Sequence, residues 1–169
     1  MSYSKYLSKI IRSEHKTVLK LIKRCVKTKI LQVLLTIPYE NDMVYYKELL
    51  EKQGYTVEII TGSVKGKDRQ RIFKAYDNGE IDVLIGYKVL DKGISIPQIG
   101  CLIDLYASST KENIEQLVGR LNREGRGIDK KFYFCFTRPL LLGKQHSLKK
   151  RIVKNLAKKF KAKFKVVQI

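Results

Sequence analysis

Cysteine, histidine and proline are scarce in this chain, and several kinds of segment are missing outright. The 169 residues include 3 Cys, 2 His and 3 Pro. Cys25, Cys101 and Cys135 are odd in number, far apart and without metal-ligand spacing, so neither a disulfide framework nor a zinc site is indicated. They read as reduced, mostly core thiols of an intracellular protein. His15 and His146 have no Ser or Cys partner in a recognisable nucleophile motif, so both read as surface or packing residues. No window approaches the roughly 18 uninterrupted apolar residues of a membrane span. The N-terminus, with Lys5, Lys9 and Arg12, lacks the compact apolar stretch of a secretory signal. There is also no Gly-x-x-x-x-Gly-Lys-(Ser or Thr) loop and no Asp-Glu-x-His or similar box to hold magnesium. The chain alone is therefore expected not to hydrolyse a nucleoside triphosphate. Internal repeats, low-complexity tracts and Gly/Ser linkers are absent too, which leaves a single structural unit as the expectation.

What is present is positive charge, unevenly placed. The formal net charge is +19. Residues 1–29 hold 9 Lys or Arg and 1 acid, residues 30–143 hold 16 and 15, and residues 144–169 hold 10 and none. A nearly neutral centre with two cationic ends fits a compact domain whose ends touch a polyanion. Nucleic acid comes first, because neutralised phosphates release counterions. An acidic membrane surface, an acidic protein and merely solvated helix faces are the alternatives.

Periodicity divides the chain further. Tyr3, Tyr6, Leu7, Ile10, Ile11, Val18, Ile22, Cys25 and Val26 recur at helical spacing among Lys and Arg, so residues 1–29 read as a basic amphipathic helical segment broken near Ser13. "ILQVLLTI" (30–37) reads as a strand buried on both faces, ended by Pro38, which implies a parallel sheet. A helix over about 41–52 places Met43, Tyr46, Leu49 and Leu50 on one face, with Gly54 as its left-handed cap. Then come strand "YTVEIITG", a helix from Arg69 to Tyr76 ended by Asn78-Gly79, strands "IDVLIGY" and "CLIDLY", a helix from about Thr110, and strand "FYFCF". Strands alternating with helices give an α/β fold with a doubly wound, mostly parallel sheet over about 30–140. Ligands of such sheets lie beyond the carboxyl ends of the strands, around Thr61, Tyr87 and Ser108. Asp104 follows an apolar strand and reads as a strand-end residue that caps or orients a loop, rather than as a magnesium ligand.

Residues 141–169 read as a basic helical extension. Leu148, Ile152, Leu156 and Phe160 repeat every fourth residue, and Lys149, Lys150, Arg151, Lys154 and Lys158 share the helix. Phosphate contact is the functional reading and a packing helix with snorkelling lysines the plain one. A helix lying on a membrane would carry bulkier aromatics on its apolar face. Truncation after Leu142 is expected to lower nucleic-acid affinity and spare the fold.

The sharpest constellation is "ENIEQLVGRLNREGRG". Ser109 with Glu112 fits a capping box, Ile114, Leu117, Val118 and Leu121 form one face, and Gln116, Arg120 and Arg123 fall at i, i+4 and i+7 on another. Arginines one turn apart on a rigid helix make a fork suited to a polyphosphate, and Gly119 leaves room for close approach.

"QLVGRLNR" matches the Gln-x-x-Gly-Arg-x-x-Arg pattern of motif VI in superfamily 2 helicases, which the chain resembles in two further segments. "GEIDVLIGYKVLDKGISIPQIGCLIDL" resembles their motif V region, and "YTVEIITGSVKGKDRQRIFKAYDNGE" their motif IVa segment with its Thr-Gly and a helix carrying Arg69. The similarity covers about residues 5–140, in the right order and spacing.

The resemblance implies the second RecA-like domain of an ATP-dependent helicase or translocase. In that family, ATP with magnesium is bound jointly with a first RecA-like domain. Arg120 and Arg123 would be arginine fingers, and Gln116 would link nucleotide state to the opposite domain. Gly93 and Ser95 would lie near the nucleotide sugar or the domain interface and Gly119 near the nucleotide, while Thr61, Gly62, Arg69, Tyr87 and Lys88 would follow the nucleic-acid backbone. Tyr87 stands where many relatives have Thr, and Ser95 where DEAD-box proteins have Asp, which sets the chain apart from DEAD-box RNA helicases. The Gly-hydrophobic-Ser of motif V and the basic helix after motif VI look like phage recombination helicases of the UvsW kind, so DNA is favoured over RNA. The Lys-rich, Arg-poor composition points the same way, to an AT-rich phage or viral genome and a host cytoplasm. The chain is thus expected to be a fragment or a separately encoded half of a motor. A stand-alone, non-catalytic nucleic-acid-binding module is the alternative.

Overall fold

The computed structural model describes residues 2–27, 32–87, 99–105, 112, 115, 131–134 and 143–159. The chain opens with two helices in near-continuous succession, α1 (Tyr3–Ser13) and α2 (His15–Lys27). Ser2 caps α1, its Oγ accepting from the Lys5 amide at 3.4 Å. Only Glu14 interrupts the helical run, close to the expected break, and its carbonyl already accepts the Val18 amide.

Strand β1 (Val33–Thr36) is followed by α3 (Glu40–Glu51) and β2 (Val57–Ile60). Helix α3 starts with Glu40 and Asp42 in its first turn, where acids complement the helix dipole. It ends in a Schellman motif: Gly54 has φ +85°, the Tyr55 amide donates to the Leu50 carbonyl and the Gly54 amide to that of Glu51. Helix α4 (Gly66–Asp77) ends the same way at Gly79, with φ +77° and the Glu80 amide on the Ala75 carbonyl. Both left-handed glycines stand where the sequence places them. Strands β3 (Val83–Gly86), β4 (Cys101–Asp104) and β5 (Lys131–Phe134) and helix α5 (Gly143–Lys159) follow. Glu112 and Glu115 are helical, within the helix expected from about Thr110.

The five strands form one all-parallel sheet in the order β2-β3-β1-β4-β5. Each strand is buried on both faces where its side chains are described, apart from half-buried Glu58 and Ile59 on β2, as the unbroken apolar runs require. Val33, Leu35, Val83, Ile85, Cys101 and Ile103 face one core, filled by Ile11, Val18, Leu21, Ile22 and Cys25 from α1 and α2 and Met43, Tyr46 and Leu50 from α3. Leu34, Leu84, Leu102 and Ile60 face the other, with Ile72 and Tyr76 of α4. The doubly wound α/β architecture is therefore the one expected. Cys25 and Cys101 are buried cysteines outside any disulfide.

One boundary differs from the sequence reading. The strand read over 30–37 is regular only from Val33, because Gln32 adopts φ 68°. Its side-chain amide turns away and donates to the carbonyls of Tyr76 and Asp77 at 3.3 and 3.0 Å, satisfying the end of α4. Helix α1 is fastened to α3 by a buried carboxylate. Asp42 accepts from Arg12 Nε and Ser8 Oγ, both at 2.7 Å, and Tyr46 donates its hydroxyl to the Ile11 carbonyl at 2.6 Å.

Candidate functional site

In an all-parallel sheet every strand ends on the same edge, so the carboxyl ends of β1 to β4 bring Thr36, Thr61-Gly62, Tyr87 and Asp104-Leu105 to one side. The strand order reverses between β1 and β4: the chain leaves β1 toward β2 at one margin and β4 toward β5 at the other. That switch point is where open α/β sheets place ligands.

The turn after β2 is organised by its own polar groups. Thr61 Oγ1 and Ser63 Oγ lie 2.7 Å apart, and the Val64 amide donates to the Thr61 carbonyl at 3.2 Å. Arg69, one turn into α4, reaches back and donates from Nη2 to the Val64 carbonyl at 3.1 Å, while its buried Nε finds no partner among the described residues. Thr61, Gly62 and Arg69 are thereby held in one local unit. A Cβ on Gly62 would meet nothing within 4 Å among the described residues. Gly86 is different, since a Cβ would come within 3.2 Å of the Ile60 carbonyl oxygen and 3.3 Å of Ile60 Cγ2. A side chain there would push β2 and β3 apart by a few tenths of an ångström.

Tyr87 is one residue past the register pair Ile60 and Gly86, next to Thr61 on the neighbouring strand end. It is half-buried and packs against the core on the α1–α3 side of the sheet. A threonine at this position would be far shorter, so the departure from the helicase pattern adds core packing here.

Thr36 was not singled out by sequence, yet it is central to the edge. Its Oγ1 donates to Asp104 Oδ1 at 2.6 Å, and both residues are 2% exposed. Asp104 is thus a strand-end carboxylate engaged in internal hydrogen bonding, as the sequence reading preferred. Among the described residues no three His, Cys, Asp or Glu side chains gather to hold a metal ion.

On α5, Ile152 and Leu156 are buried while Lys150, Arg151, Lys154 and Lys158 are exposed. Lys149 lies on the same helix. Leu148, expected on the apolar face, is 43% exposed. Lys88, Gly93, Ser95, Gln116, Gly119, Arg120 and Arg123 lie outside the described residues. No described helix is long and apolar enough to cross a membrane.

The sheet order, its two helical layers and its polar strand ends define a RecA-like α/β domain. The helicase conserved C-terminal domain family matches residues 14–125, and the chain belongs to that family. The C-terminal domain of the DEAD-box protein Dbp5 is similar in fold, with a TM-score of 0.64 at 19% identity over 88% of this chain and 79% of that one. Escherichia coli DEAD-box protein SrmB, bound to regulator of ribonuclease activity A, gives 0.61 at 19% identity over 80% and 79%. In sequence, the ATP-dependent RNA helicase RhlB of Shewanella frigidimarina is 33% identical over 87 residues, 52% of this chain and 19% of that protein. The chain spans about a fifth of the length of the curated relatives it matches. The separation from DEAD-box proteins expected at Ser95 and the preference for DNA gain no support from these names.

Proposed function

We propose that this chain acts as the second motor domain of an ATP-dependent superfamily 2 helicase or translocase and hydrolyses ATP only together with a first RecA-like domain. The observation that carries the reading is that the family match spans residues 14–125, a range that includes Gln116, Arg120 and Arg123, on a sheet of the matching fold. In this reading Arg120 and Arg123 meet the polyphosphate, and Gly93, Ser95 and Gly119 line the nucleotide side. ATP with magnesium, held mainly by the first domain, supplies the phosphoryl chemistry. The edge built from Thr61, Gly62, Arg69 and Tyr87, continued by Lys88, follows a nucleic-acid backbone, and the exposed cations of α5 add phosphate contacts. The recombination-helicase look of motif V favours DNA, whereas the relatives are named as RNA helicases. Stimulation of ATPase by DNA and RNA duplexes of one sequence separates the two.

The test uses the assembly with the first domain, from a longer protein or a partner. Arg123→Ala is expected to keep nucleic-acid binding and to lose on the order of a thousandfold in stimulated ATP turnover, because a finger stabilises charge that develops in the transition state. Arg120→Ala behaves alike, and the double variant loses much less than the product of the two. ATPase that neither substitution touches would leave a non-catalytic nucleic-acid-binding module as the reading.

A further inference from the structure

The helices that open the chain carry a cationic stripe that the motor reading leaves without a task. On α2, Lys16, Lys20, Lys23 and Lys27 follow each other at intervals of four, three and four residues, and all four are exposed. Val18, Leu21, Ile22 and Cys25 on the opposite side are buried in the sheet core. Among the described residues none of these four lysines forms an ion pair. Glu14 is the sole acid in residues 1–29. Lys5 and Lys9 extend the exposed charge onto α1.

A face selected only for solubility gains from Glu four residues ahead of Lys, whereas like charges at that spacing each cost a few tenths of a kcal/mol. This helix accepts the repulsion along its whole length. The stripe on α2 spans about 16 Å at 1.5 Å per residue. A nucleic-acid duplex passes about ten phosphate charges in that distance, at one per 1.7 Å. The apolar face needed for insertion into a lipid surface is already buried against the sheet. Helix α2 also lies on the sheet face opposite α4, which carries Arg69.

We propose that α1–α2 forms a second phosphate-binding surface, distinct from the strand-end edge, which grips a nucleic-acid duplex by its backbone without reading sequence and anchors the domain beside its track. This goes beyond the motor reading and stands without it, because its test needs neither ATP nor a first domain.

The test titrates the full chain with a short fluorescent DNA duplex by anisotropy between about 50 and 200 mM salt. Replacing Lys16, Lys20, Lys23 and Lys27 by Gln is expected to weaken binding at least tenfold at the lower salt. The log-log salt slope flattens by about 3 to 4, at roughly 0.9 for each phosphate that is no longer neutralised. Lys52→Gln leaves both unchanged. Should the quadruple variant fail to fold by circular dichroism, lysine acetylation of the unaltered chain decides. The duplex then protects Lys16, Lys20, Lys23 and Lys27 and leaves Lys52 reactive. An unchanged slope in a folded quadruple variant, or no protection of these four lysines at saturation, overturns the proposal. Binding to vesicles of anionic lipid with none to the duplex overturns it in favour of a membrane surface.

Discussion

Thr36 and Asp104, 68 residues apart in sequence, are register partners on adjacent strands and share a buried 2.6 Å hydrogen bond at the reversal of the strand order. The backbone repeats the tie, since the Leu105 amide donates to the Thr36 carbonyl at 3.1 Å. The chain leaving β4 toward the motif VI segment therefore departs from a fixed point. Thr36→Val removes one donor from a buried carboxylate. It is expected to cost about 1–3 kcal/mol in urea unfolding, whereas Thr36→Ser retains most of the stability. Equal stability of the Val and Ser variants would show that the hydroxyl contributes nothing.

Asp42 makes a similar tie between helices. Its Oδ1 takes both Arg12 Nε and Ser8 Oγ, and the Arg12 guanidinium also lies 5.0 Å from the centre of the Tyr45 ring. Arg12→Ala leaves a fully buried carboxylate with the serine alone. The loss is expected to be about 1–3 kcal/mol, below that of a wholly buried pair because Arg12 is 45% exposed. Asp42→Asn, which removes the charge together with the ion pair, costs less. Thermal unfolding of the two variants side by side checks the order.

Tyr76 gives a pH signature. Its phenol is fully buried and its pKa is pushed well above 10, first by burial and then by Cys101 and Asp77 nearby. In the unfolded chain the phenol ionises near pH 10, while in the folded protein it stays protonated. Between these values the unfolded state binds fewer protons, so stability falls as pH rises above 10. Tyr76→Phe removes this contribution, making the decline shallower by up to about 1.4 kcal/mol per pH unit. Near neutral pH it changes stability by less than about 1 kcal/mol, because the hydroxyl has no partner among the described residues. Denaturation midpoints at pH 7 and pH 11 for the two proteins test both statements.

The legible features were those that local chemistry dictates. Gly54 announced a left-handed helix cap and Asn78-Gly79 a helix end, because few residues other than glycine tolerate the positive φ found at Gly54 and Gly79. The apolar run ending at Ile37 announced a strand of a parallel sheet because only doubly covered strands dispense with alternation. The roles set by partners far along the chain were not legible. Gln32 lies inside an apolar run, and its part as a cap for α4 depends on carbonyls 44 and 45 residues away. Asp42 looks like a wet first-turn acid until Arg12 and Ser8 are brought onto it. At the candidate site, Thr61, Gly62 and Arg69 were picked out by likeness to a motif, and Thr61 and Arg69 are joined through Val64, whose amide donates to the Thr61 carbonyl and whose carbonyl accepts from Arg69. Thr36 has no motif to mark it.

Helix α5 separates two contributions that its sequence mixes. Ile152 and Leu156, 8% and 4% exposed, are packed, while Lys150, Arg151, Lys154 and Lys158 are in solvent. Burying two such side chains contributes about 1.5–3 kcal/mol each, a large share of the roughly 5–15 kcal/mol that holds a domain together. Truncation after Leu142 is therefore expected to lower thermal stability markedly, contrary to a tail that only binds phosphate. Replacing Lys150, Arg151, Lys154 and Lys158 by Gln leaves Tm within a few degrees, since exposed charges contribute little to stability. The same variant lowers duplex affinity and flattens the salt slope by up to about 3 to 4. Ile152→Ala with Leu156→Ala does the reverse, lowering Tm while the folded fraction binds the duplex unchanged. If the charge variant keeps full affinity, α5 is a packing helix and its lysines serve only as its wet face.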